Sequence, residues 1–325
     1  MAGLTRGVSS RIGRRTRVSE LVLGYALLAP ALILLLVFEF YPLFLGLYIS
    51  MCDWKLSCAH FIGLANYTRA FADPEMWHSL LVTATYSLIS VPVQLALGLG
   101  VAYLLFQRIR GMEWFRMMFF MPYITTTVAT AAIWAYLFSP DTGPINKLLG
   151  LVGLPQQRWL GETRGIFDLL LSSTGLHLPE WAGGPSLALI SLIIYTTWVF
   201  LGYDVIIFLA GLANIPKELY DAAKVDGANG WRILRYITLP LLSPTTFFLT
   251  LITVIGTFKA FNHIYIMTQG GPGNTTTTSS IFIFQQLVTF NRYGYSAAIS
   301  FIVFVVILIL TVLQNKIAGE RVVYD

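Results

Sequence analysis

Six stretches of this 325-residue chain are apolar over about 20 residues or more, and no other feature limits its fold so severely. A helix needs about 20 mostly apolar residues to cross the hydrocarbon core of a bilayer. The stretches run from Leu21 to about Ile49, from about Leu80 to Phe106, from Trp114 to Phe138, from Ser186 to Leu212, from about Leu241 to Phe261, and from Tyr295 to Leu313. Only 11% of the residues are charged, against roughly 25% in an average soluble domain. Too few charges remain to coat a water-facing surface of this size. Ten-residue blocks of alternating polarity, the mark of a membrane β-barrel, do not occur. The expected class is an all-α polytopic membrane protein with six transmembrane helices. Glu39 and Pro42 break the first stretch, while Pro92 and Pro122 predict kinks in the second and third. Neighbouring helices can satisfy the carbonyls that such prolines free.

The net charge of +5 would suit a nucleic-acid partner, but its placement points elsewhere. Of the 21 basic residues, 14 fall at the N-terminus, around residue 110, in residues 213–240 and at the C-terminus. The positive-inside rule therefore predicts that both termini and these two loops are cytoplasmic. The apolar run from Leu21 is too long for a signal peptide and reads as a retained first span. The expected division is a cytoplasmic segment 1–20, a six-helix permease domain 21–315 containing a cytoplasmic loop 213–240, and a tail 316–325.

Other features exclude more than they identify. Cys52 and Cys58 cannot complete a four-ligand zinc site. In an oxidising compartment they could bridge, and otherwise they are two free thiols. The four histidines, at positions 60, 78, 177 and 263, are never paired at helical spacing, which argues against a metal. The run Gly270-Gly271-Pro272-Gly273 is followed by no Lys-Ser/Thr, so it is not a phosphate loop, and no other stretch supplies one. The chain is expected to perform no covalent chemistry and to hold no cofactor. Outside the membrane, Ile145 to Leu151 predicts a short interfacial helix.

Residues 213–240 concentrate charge in a chain that has little of it: Lys217, Glu218, Asp221, Lys224, Asp226, Arg232 and Arg235. Pro216 suits a first helical turn, and Glu218 and Asp221 complement the helix dipole. Leu219, Ala222 and Ala223 recur at i, i+3 and i+4, giving a small apolar face. Gly227 or Gly230 can cap the helix in the left-handed conformation, and a second helical stretch from Trp231 leads to Pro240. Two readings of this face remain: a dock for a cytoplasmic partner, or an amphipathic helix lying on the headgroups.

This segment resembles the loop shared by permease subunits of binding-protein-dependent ABC importers. The family pattern is Glu-Ala-Ala, three residues, Gly, nine residues, Ile-x-Leu-Pro. Here it reads Asp221-Ala222-Ala223, Gly227, then Ile237-Thr238-Leu239-Pro240, with aspartate in place of the usual glutamate. FIGLANYTRAFADPEMW (residues 61–77) and MTQGGPGNTTT (residues 267–277) resemble the carbohydrate branch, which includes maltose, glycerol-phosphate and oligosaccharide importers. The resemblance implies the type I permease fold in a prokaryotic inner membrane. It also implies a homologous second permease, two cytoplasmic ATPase subunits that bind the ATP, and an extracytoplasmic solute-binding protein. It assigns ATPase coupling to Glu218, Asp221, Ala222, Ala223, Gly227, Ile237, Leu239 and Pro240.

Ionisable groups inside spans are costly and point to function. Glu39, Asp204 and Lys259, with Asn262 and the aromatic neighbours Tyr195 and Trp198, are candidates for a solute pathway. Each alternatively anchors an interface or packs between helices, and His263 alone reads as an interface residue. An ion-coupled secondary transporter would show paired inverted repeats, and an embedded enzyme would need convergent titratable groups. Neither pattern is found.

Overall fold

The computed structural model describes residues 9–55, 57–107, 111–172, 179 and 182–318, with side chains described from residue 22 onward except at 172 and 318. The basic side chains at positions 6, 11, 14, 15, 17, 108, 110 and 321, and His177, lie outside this description.

Helix α1 (Ser9–Leu35) passes through a π-helical turn (Leu36–Phe40) into α2 (Tyr41–Ser50). A small hairpin of β1 (Cys52–Trp54) and β2 (Cys58–Phe61) follows, then α3 (Ala65–Ala72) and the long α4 (Pro74–Phe106). Next come α5 (Met112–Ile124), α6 (Thr127–Leu137), α7 (Pro144–Leu151), α8 (Ile166–Ser172) and α9 (Leu187–Ala213). The loop after α9 holds α10 (Lys217–Val225) and α11 (Gly230–Ile233), then a π-helical turn (Leu234–Thr238) and α12 (Leu239–Leu241). The chain finishes with α13 (Ser243–Phe258), α14 (Asn262–Met267), α15 (Ser279–Phe284), a π-helical turn (Gln285–Thr289) and α16 (Tyr293–Ala318). Four helical runs among the described residues are long and apolar enough to cross a membrane, and six if each of two bent pairs counts as one span.

Two sequence expectations need correction. Glu39 and Pro42 do not break the first stretch, because Val22–Ser50 runs as one helix. A wider π turn takes up the disturbance at Glu39, and Pro42 falls at the start of the regular helix that resumes there. Conversely, the third stretch is broken rather than kinked: α5 and α6 meet at 97°. Pro122 lies inside α5, and the chain turns extended at Thr125, whose Oγ1 donates to the Met121 carbonyl at 2.8 Å. A side-chain donor thus serves a carbonyl that the helix no longer satisfies.

Helix α9 is the hub. Ser186 caps its start by accepting the Leu189 amide at 3.1 Å. It packs against α4, α5, α13 and α14. Small residues let these backbones approach, as they do between membrane helices generally. At Gly98 of α4 the Asp204 Cβ fills the space a side chain would need, and a Cβ on Gly202 would collide with the Phe119 carbonyl of α5. Tyr86, Phe138, Leu192 and Tyr195 fill the core at one end of α9, and Phe208, Leu212 and Leu242 at the other.

Of the two readings left open for the cysteines, the bridge is the one found: Cys52 and Cys58 are bonded to each other across the hairpin. The paired strands bring their Cα atoms to 5.4 Å, inside the range a disulfide requires. Asn66 of α3 holds this hairpin to the end of α2 by donating to the Ser50 and Cys52 carbonyls at 2.9 and 3.2 Å.

Candidate functional site

Two regions could carry function, one in the loop after α9 and one against its middle. Helix α10 begins at Lys217, with Pro216 one position outside as its N-cap residue. It ends in a Schellman motif: the Ala228 amide donates to the Ala223 carbonyl at 2.8 Å, and the Gly227 amide to Lys224 at 3.1 Å. This needs a left-handed residue, and Gly227 has φ +74°. A side chain there would meet open space, so the backbone conformation, not packing within this chain, calls for glycine.

No residue of α10 is buried. Leu219 and Ala222 are exposed, and Ala223 is half-buried. Val225 is 88% exposed and Trp231, beyond the cap, 67%. Tyr220 instead turns inward, its ring 6.5 Å from that of Phe106 and its hydroxyl 3.4 Å from Thr238 Oγ1. Asp221 forms an exposed ion pair with Lys224 at 3.3 Å, and Glu218 is exposed beside it. Asn229 caps α11 by accepting the Arg232 amide at 2.9 Å. Ile237 is half-buried, while Leu239 and Pro240 are exposed on the way into α13. The result is an apolar helix face held out from the spans on one inward-facing tyrosine.

The second region is a cavity of about 300 Å³ walled by α4, α9, α13 and the break between α5 and α6. From α9 it takes Thr196, Phe200 and Tyr203, which follow one another at i, i+4 and i+7 on a single helix face. Tyr123, at the end of α5, stacks on Tyr203 with ring centres 5.0 Å apart. Gln94, Thr253, Thr257, Lys259, Asn262 and His263 supply polar groups. Gln94 donates through Nε2 to Asp204 at 2.7 Å.

The pathway candidates therefore separate. Lys259 and Asn262 line the cavity, and Asp204 touches it only through Gln94. Tyr195 does not line it, since its hydroxyl is engaged by Thr130 and the Thr127 carbonyl at 2.8 and 3.1 Å. Trp198 packs on Trp134 with centres 5.3 Å apart, and Glu39 is exposed in the first span. His263 is buried, its Nε2 3.0 Å from the Tyr86 hydroxyl and 3.2 Å from Thr196 Oγ1. Gln94, Tyr123 and Tyr220 were not flagged by the sequence because none carries a charge at neutral pH; the spacing of Thr196, Phe200 and Tyr203 was the available signal for the wall.

A wider cleft of about 710 Å³ lies between the first turns of α4 and the loop preceding α9. Its Arg164 is held by Glu162 at 3.2 Å, and the hydrogen bond from that guanidinium keeps the Glu162 carboxyl below its usual range. The Gly-rich loop closes one side: Thr277 Oγ1 donates to the Gly270 carbonyl at 2.9 Å, and the Ser279 amide to Thr83 of α4 at 2.8 Å.

Comparisons with known proteins agree with this architecture. Residues 94–319 match the family described as binding-protein-dependent transport system inner membrane component. The chain is 32% identical to a lactose transport system permease protein of Rhizobium radiobacter, over 92% of this chain and 94% of the relative. It is 30% identical to a trehalose/maltose transport system permease protein of Thermococcus litoralis, over 97% and 99%. In fold it is similar to a chain of a bacterial alginate ABC transporter, crystallised with an alginate pentasaccharide-bound periplasmic protein. That likeness has a TM-score of 0.76 at 23% identity and covers 94% of this chain and 96% of the other.

Proposed function

We propose, from the premise that this chain belongs to the family of binding-protein-dependent transport system inner membrane components, that it lines the passage of an ATP-driven importer for a sugar or sugar-like solute. It is a multi-pass protein of the prokaryotic inner membrane. The importer relatives are named for lactose and for trehalose/maltose, which supports the carbohydrate class. A homologous second permease would complete the passage, and a binding protein would deliver the solute at the outer face. Oligosaccharides and glycerol-phosphate-like compounds are the solutes the sequence resemblance suggests.

The observation that carries the coupling part is the exposed face of α10, with Leu219, Ala222 and Val225 uncovered just past the C-terminal end of the hub helix. Apolar surface presented to water costs free energy in proportion to its area, and docking recovers it. Two cytoplasmic ATPase subunits are the proposed occupants. Closure on ATP would push α10 and, through Tyr220 and the Leu212–Leu242 cluster, tilt the ends of α9 and α13.

Gly227→Trp tests this. A Cβ at φ +74° costs roughly 1–2 kcal/mol, which unwinds the cap that positions the face. Pull-down on the tagged chain is expected to lose its ATPase partner, while the variant stays monodisperse. Retention of the partner, or uptake into liposomes by this chain alone without ATP, would sink the reading.

A further inference from the structure

The importer reading leaves the solute's charge open, and the cavity wall speaks to it. Lys259 is the single charged side chain on that wall among the described residues. It forms no ion pair with another described side chain. As the C-cap residue of α13 it answers the negative end of that helix, yet it also faces the cavity. Asp204 stands behind Gln94, fully buried, and does not reach the wall.

Two further observations bear on the polar groups a solute would need. The break at Thr125–Thr126 starts α6 at the cavity, where Thr127 lines the wall. The N-cap Thr126 gives no side-chain hydrogen bond to the free amides of the first turn. A helix start with unsatisfied amides favours negative charge. Gln94 supplies the second observation. It is 2% exposed, it lines the cavity, and Asp204 fixes its amide, leaving its Oε1 buried without a hydrogen-bond partner. An unpaired buried acceptor is costly and calls for a donor. The stacked pair Tyr123–Tyr203 offers a flat apolar face between these polar groups.

We infer that the cavity takes an anionic sugar, its carboxylate or phosphate set against Lys259 and the start of α6 and a hydroxyl donating to Gln94 Oε1. Lys259 is exposed on the wall, so water screens part of its pull, but an unpaired cation beside the start of α6 still favours an anion over a neutral solute. Lysine suits this role as a point charge that does not demand bidentate geometry, so both anions are admitted.

The test rests on the importer reading and uses the native complex, captured through a tag on this chain and reconstituted in proteoliposomes with its binding protein. Uptake is measured for trigalacturonate, glucose 6-phosphate and maltotriose, with and without ATP. ATP-dependent uptake of at least one anionic probe is expected, and which one distinguishes carboxylate from phosphate. Lys259→Gln is expected to lower that uptake at least tenfold, and Lys259→Arg to retain most of it. Gln94→Leu is expected to weaken uptake of the same probe through a higher KM. Absence of Lys259-dependent uptake of either anionic probe overturns the inference. If maltotriose enters with ATP in both wild type and K259Q, the importer reading stands and the inference falls. Uptake that ignores ATP takes down the importer reading itself.

Discussion

The first and fourth spans are both long, apolar helices, yet they occupy opposite environments. None of the most apolar window of Val22–Ser50 is buried, against 61% of the corresponding window in Leu187–Ala213. What separates them is the residues set among the apolar ones. The fourth span carries Ser191, Thr196, Gly202, Asp204 and Gly211, small or hydrogen-bonding groups that let neighbours approach or bind to it. The first offers long aliphatic and aromatic side chains that suit lipid tails. Hydropathy finds a span; close approach and internal hydrogen bonds decide which spans become the core.

The strongest way to break this contrast is to place one large side chain in each span. Gly202→Leu drives a side chain into the α5 backbone at Phe119, and overpacking costs typically 1–3 kcal/mol, more where only backbone can yield. Size-exclusion of the detergent-extracted chain is expected to lose its monodisperse peak. Gly24→Leu meets nothing within 4 Å and is expected to leave the profile unchanged. Equal damage from G24L would show the first span to be packed as tightly as the fourth.

A smaller effect separates the two carboxylates within the spans. Asp204→Ala strands the Gln94 amide in the core, an unsatisfied donor worth about 1–3 kcal/mol. A melting temperature lower by several degrees is expected, whereas Glu39→Ala, at an exposed site, is expected to leave it unchanged. Equal melting of D204A and wild type would mean that the Gln94–Asp204 bond does not hold α4 to α9. The smallest effect belongs to α10. Asp221→Asn removes an exposed ion pair, a class worth about 0–1 kcal/mol, and no change in melting is expected from the isolated chain. A clear drop would make that pair structural and so contradict a helix held chiefly by Tyr220.

Much of this was legible beforehand for a simple reason. The bilayer demands long apolar helices, and Gly227 sits five residues past Ala222 in a charged stretch that can hardly lie in a membrane. The break in the third span was not legible, because Pro122 predicts a disturbance and not its size, and Thr125 decides it locally. Nor was the cavity wall. Tyr195 and Trp198 lie near Asp204 in sequence but on another face of α9, and a step of a single residue turns a side chain by about 100°. Gln94, 110 residues away from Asp204, drew no notice because an amide is unremarkable until the carboxylate it serves is found.

The sequence by itself determined that this chain spans a membrane as helices, which loops hold its basic residues, and that one charged loop carries the importer pattern from Asp221 to Pro240. These follow from solvent and from local spacing, which sequence records directly. Only the tertiary structure decided that α9 is the hub, that Cys52 meets Cys58, and that Lys259 shares a wall with Gln94. Those depend on which helix faces meet and how closely, and glycines facing a particular neighbour set that distance in a way hydropathy does not encode.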